Sequence, residues 1–131
     1  MEQLFLKINI YSNIYLIAIS IIVQLIIYPS FKKYSDSKFK SFHSSYTKKM
    51  FFIVAPIMIL ELISALYLVI KNSFYSPIII IGFIWLITFF FIVPVHNSLN
   101  SNFNIIVHKK LLHLNFIRTT FWILKFLIML I

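Results

Sequence analysis

Four apolar runs, residues 8–28, 50–70, 77–95 and about 111–131, occupy most of this chain. Each is close to the ~20 residues that cross a ~30 Å hydrocarbon core as a helix. Four such spans leave only short connections within 131 residues, so the predicted fold is all-α, a single four-helix transmembrane domain over residues 1–131 in an up-down bundle. The composition agrees. Hydrophobic residues make up 61% of the chain and charged residues 11%, against roughly 25% charged in soluble domains. The first run follows Lys7 as a signal peptide would. It is longer than the roughly 7–15 residues of a cleaved hydrophobic region, and no small-residue cleavage site follows it, so it is read as a retained helix. There is no cysteine, which excludes disulfides, thiolate ligands and thiol nucleophiles.

A net charge of +9 invites a nucleic-acid reading, but the charges fall into a membrane pattern. Lys32, Lys33, Lys38, Lys40, Lys48 and Lys49 lie between the first and second runs, and Lys109 and Lys110 lie between the third and fourth. The opposite side carries only Lys7 and Lys71. This asymmetry predicts that the two basic connections face the cytoplasm and that both termini lie on the non-cytoplasmic side, in the inner membrane. Orientation accounts for the charge, and no nucleic-acid partner is expected.

Pro29 is expected to close the first span. Beyond it, Phe31, Tyr34, Phe39, Phe42 and Tyr46 fall near one helical face and Lys33 and Lys40 on another. That pattern predicts a cytoplasmic amphipathic segment between helices 1 and 2, or an extension of the second span, with its lysines against anionic lipid head groups. Ser76 before Pro77 reads as an N-cap, the segment 97–104 as the third connection, and Asn104 as a cap for the last helix. Pro56 and Pro94 are expected to bend the second and third helices. The single glycine, Gly82, leaves no GxxxG packing motif.

Glu61 is the only acid inside an apolar run. A lone carboxylate at that depth costs about 2.5–3.5 kcal/mol on insertion scales, so it must be protonated, paired or facing a cavity. Its candidate partners, Arg118 and Lys125, lie on a stripe with Asn115 and Trp122 on the fourth helix, while Asn9, Asn13, Ser20 and Gln24 share a face of the first. At ~1.5 Å per residue from the cytoplasmic boundary, Glu61 lies about 16 Å deep, Arg118 about 10 Å, Lys125 about 21 Å and Gln24 about 6 Å. A polar intramembrane network of Glu61, Arg118, Lys125, Asn115 and Gln24 is therefore expected. It reads structurally as an interhelical clamp, and functionally as a proton relay or an anion site at Arg118.

His43, His96, His108 and His113 all map to the lysine-rich side. His43 and His96 are placed to approach one another, and with Trp122 they form a candidate cytoplasmic-side pocket. His108 and His113 are five apart, off the spacing that shares a helix face, and no carboxylate pair accompanies them, so no metal site is expected. No cofactor is assigned. Nucleotide-binding glycine signatures and the common zinc or serine hydrolase motifs are missing from the sequence.

Tyr28-Pro29, Phe39 with His43, Glu61, Pro94-Val95-His96 with Leu99, and Asn115-Phe116-Ile117-Arg118-Thr119 with Trp122 resemble a group of small four-helix bacterial integral membrane proteins of uncharacterised function. A looser similarity is to anthrone-oxygenase-like membrane domains. The resemblance implies fold and membrane location and carries no catalytic residue onto this chain. Three functional classes follow. The first is a membrane protein of unassigned activity whose polar network fixes the bundle, with the lipid bilayer and a membrane-protein partner or second copy as its contacts. The second is a membrane oxidoreductase or cofactor-binding protein acting on a quinone-like or aromatic ligand. The third is a small proton-coupled exporter, which the scarcity of glycine and the single predicted orientation disfavour.

Overall fold

The computed structural model describes residues 1–34 and 36–131 and is 93% helical. Four helices, α1 Glu2–Lys33, α2 Asp36–Asn72, α3 Ser76–Ser101 and α4 Ile105–Leu130, are each long and apolar enough to cross a membrane. Their connections are short, which makes consecutive helices antiparallel neighbours. Helix α1 packs against α2 and α4, and α3 against α4 and α2, closing a four-sided bundle. At the end remote from the lysine-rich connections, Asn72 Nδ2 donates to Glu2 Oε1 at 2.7 Å, and the Phe5 and Tyr67 rings stack at 4.0 Å.

Three details differ from what the sequence predicts. Pro29 does not close the first span: α1 runs through it and ends in a 3₁₀ turn, Phe31–Lys33. Of the two arrangements expected for the aromatic stripe, residues 39–46 take the extension of the second span, as the first part of α2. Phe31 and Phe39 are wholly buried in an apolar cluster with Val23, Tyr28, Ile92, Val95, Leu99 and Leu111, because α1, α3 and α4 also reach this end of the bundle and cover them. Helix α3 continues to Ser101, which shortens the third connection to residues 102–104. Ser76 is the first helical residue and makes no side-chain cap bond, whereas Asn104 caps α4 by accepting from the amides of Ile106 and Val107.

The way α1 and α3 accommodate their prolines sets the shape of the interior. Proline lacks the N–H for the carbonyl four residues back, and its ring clashes with that carbonyl. In α1 a π turn, Val23–Ile27, precedes Pro29, and the amide of Tyr28 reaches back to the carbonyl of Val23. In α3 a π turn, Thr88–Ile92, precedes Pro94, and the amide of Val93 reaches back to that of Thr88. One extra residue in the turn moves the obstructing carbonyl aside and lets the helix continue. Thr88 also donates its hydroxyl to Ile84 O at 2.8 Å.

The outward faces are apolar. Leu25, Phe52, Ile70, Phe90 and Ile106 stand largely exposed, an arrangement that belongs in hydrocarbon rather than water. Lipid offers no hydrophobic drive for helix association, so close packing and interhelical polar contacts must supply it. Gly82 has no neighbour within 4 Å of an added Cβ, so no close helix approach depends on it.

Candidate functional site

The buried and half-buried polar side chains form three groups, stacked along the bundle. In the group farthest from the lysine-rich end, Lys125 Nζ donates to Glu61 Oε1 at 2.7 Å, with both side chains at 0% exposure. The other carboxylate oxygen accepts from Trp122 Nε1 at 3.2 Å, and the ammonium also donates to Asn13 Oδ1 at 2.9 Å. Asn13 Nδ2 donates to Trp122 O at 3.0 Å. Asn9 Nδ2 reaches Glu61 O at 3.0 Å and Ser64 Oγ at 2.8 Å. One charge pair thus joins α1, α2 and α4.

Side-chain direction decides why Glu61 meets Lys125 rather than Arg118. Helical side chains lean toward the N-terminus of their own helix, and α2 and α4 both begin at the lysine-rich end. Lys125 starts deeper than Glu61 and leans back toward it. Arg118 starts shallower and leans away.

Arg118 anchors the middle group. Its Nη2 donates to Asn115 Oδ1 at 2.8 Å and its Nη1 to Thr88 Oγ1 at 3.3 Å, and its guanidinium carbon lies 5.1 Å from the centre of the Trp122 ring. Asn115 Nδ2 in turn donates to Gln24 Oε1 at 2.8 Å and to Ser20 O at 3.3 Å, and the Ser20 and Thr119 hydroxyls are bonded to each other. These contacts tie α4 to α1 and α3. Among the described residues every partner of the guanidinium is neutral, and its Nε–H is buried without one.

The third group lies at the lysine-rich end. Tyr28 Oη is 3.0 Å from His96 Nε2, His96 Nδ1 is 2.8 Å from His43 Nε2, and His43 Nδ1 is 2.5 Å from Asn100 Oδ1. An amide oxygen only accepts, so the proton of His43 sits on Nδ1. With both rings neutral, His43 Nε2 accepts from His96 Nδ1–H, and His96 Nε2 accepts from the Tyr28 hydroxyl. The chain of donors therefore has one direction, from Tyr28 to Asn100. His108 Nε2 donates separately to Tyr28 O at 2.7 Å, and His113 is exposed. No group of three metal-ligating residues occurs among the described residues.

A cavity of about 280 Å³ lies between the second and third groups. Arg118, Trp122 and Thr88 form one part of its wall, Tyr28, Tyr46 and His96 another, and apolar side chains such as Leu16, Val54 and Met58 most of the rest. Both π turns border it, through Val23 on α1 and Thr88, Phe89 and Ile92 on α3. Helices α2 and α3 pack together toward their two ends and make little contact along Thr88–Ile92. Phe51 on one side and Phe89 and Val93 on the other are cavity-lining yet exposed, so the cavity opens sideways between α2 and α3 toward lipid. Of the candidate residues, Arg118, Trp122 and His96 line it. His43 sits behind His96, and Glu61, Lys125, Asn115 and Gln24 lie outside the wall.

Sequence reasoning passed over Tyr28, Thr88 and Asn100 as site residues. Thr88 carried a signal, as the one hydroxyl in the run 77–95. Tyr28 and Asn100 carried none that separates them from ordinary interfacial residues. No family model, curated protein or solved structure matches the chain.

Proposed function

We propose that the Glu61–Lys125 pair and its neighbours fix the register of a membrane bundle that holds open a cavity for a lipophilic molecule drawn from the bilayer. The carrying observation is the complete burial of both charges away from the cavity, with their strong contacts made inside the protein. A proton-coupled exporter needs its membrane acid to reach substrate or water in turn. Glu61 is instead held by Lys125 and Trp122.

A clamp of this kind makes a specific energetic prediction. Removing one member of a buried pair strands the other charge and costs about 3–5 kcal/mol, whereas replacing both with apolar residues costs far less. Glu61→Leu and Lys125→Met are each expected to destabilise by that amount in reversible unfolding from detergent micelles, and the double variant to recover most of the loss. Additive losses in the double variant would reject the clamp.

A second reading is a membrane oxidoreductase or cofactor protein for a quinone-like or aromatic ligand. It is supported by the one-way Tyr28–His96–His43–Asn100 chain, whose Tyr28, His96 and Asn100 stand in the cavity wall, as a hydrogen-bonded proton carrier beside a redox ligand would. An absorption spectrum and solvent extract of the purified protein separate the two. A bound chromophore or quinone favours the second reading, and a clean spectrum with lipid alone favours the first.

A further inference from the structure

The charge inside the cavity wall narrows what it binds. Arginine stays protonated under any ordinary condition. Among the described residues Arg118 nonetheless meets no carboxylate, because the one acid in an apolar run, Glu61, is already paired with Lys125. Asn115 and Thr88 each accept from the guanidinium, and two of its five N–H bonds are thereby used, while Nε has no partner. A half-buried cation with neutral partners and donors to spare, at the edge of an apolar cavity, is complementary to an anion.

We infer that the cavity takes a single-chain lipophilic carboxylate, its head on the Arg118 guanidinium and its chain passing between α2 and α3 into the bilayer. This rests on the reading of the cavity as a ligand site. A planar carboxylate matches the fork of a guanidinium. The space of about 280 Å³ suits a compact head with the first part of one chain. The sideways mouth is bordered by Phe51, Phe89 and Val93, an apolar rim for the rest of the chain. Trp122 presents its ring to the same guanidinium, which keeps the cation in place when the head is absent.

Trp122 also supplies the assay. In a Trp85→Phe background it is the only tryptophan, and a brominated chain held in the cavity quenches it. The protein is placed in vesicles containing increasing fractions of bromostearic acid or of its methyl ester, at alkaline pH where the acid is ionised. The acid is expected to quench saturably at a mole fraction at least about tenfold below that of the ester, as befits a charge-assisted hydrogen bond. Arg118→Gln is expected to erase the difference while leaving the ester curve in place. Saturable quenching that is equal for acid and ester in the unsubstituted site would overturn the carboxylate inference and leave the lipophile cavity standing. Quenching by either probe that only rises in proportion to its fraction, without saturation, would reject both. The comparison of the two probes needs no Arg118 variant, so misfolding of that variant does not remove the test.

Discussion

Trp122 links two of the three polar groups, since its indole N–H holds Glu61 while its ring faces Arg118. Hydrogen bonds to charged groups contribute about 1.5–3 kcal/mol. Trp122→Phe keeps a ring and deletes the donor, and it is expected to lower unfolding stability by about that much. Trp85 provides the contrast, because its Nε1 has no partner. Trp85→Phe, which deletes no hydrogen bond, is expected to lower stability by less than Trp122→Phe does, and equal losses in the two variants would remove the role assigned to the Trp122–Glu61 bond. At this scale the sequence was informative about which residues face inward and less so about whom they meet. Glu61, Arg118 and Lys125 stood out because a charge in an apolar run always needs an explanation. Depth alone left Glu61 between its two bases, and only the lean of side chains along parallel helices separates them. Tyr28 and Asn100 were hidden for another reason. Their partners are 68 and 57 residues away in the chain, and no local spacing encodes such a contact.

At the scale of the element, the two π turns are the features that the apolar pattern does not reveal. Helix positions were legible from run length, because lipid leaves a spanning segment few options. Pro29 and Pro94 were legible as disturbances, yet one was read as a helix end and the other as a bend. The structure uses the same remedy for both, a single extra residue in the preceding turn. If relief of the proline clash is the reason for the turn in α3, removing one residue from it should restore that clash without changing the register of either flank. Deletion of Phe90, which faces lipid, is therefore expected to destabilise by about 3 kcal/mol, the usual effect of a proline in an unrelieved helix interior. Adding Pro94→Ala to the deletion should recover most of the loss. Thermal unfolding of the three variants in one detergent checks this. A deletion variant as stable as the parent would mean that packing around the cavity, not proline, maintains the turn.

For the molecule as a whole, two gradients run along the bundle axis: lysine is concentrated at one end, and the buried polar groups change from histidine and tyrosine at that end to an ion pair toward the other. The cavity lies between them and opens to the side. This arrangement gives the orientation a functional meaning, because the chain Tyr28–His96–His43–Asn100 lies at the lysine-rich end of the cavity. The charge asymmetry predicts that the lysine-rich end faces the cytoplasm, and the absence of native cysteine makes that prediction directly measurable. Ser41 lies on α2 at the lysine-rich end, and Ser73 lies in the turn after α2 with a left-handed φ of 55°. Both are exposed, so a cysteine at either site is open to reagent. In cells with a permeabilised outer layer and an intact inner membrane, a membrane-impermeant maleimide is expected to label Ser73→Cys and to spare Ser41→Cys until the membrane is disrupted. The reverse pattern would place both termini in the cytoplasm and turn the histidine chain outward. The lysines would then face the outer leaflet.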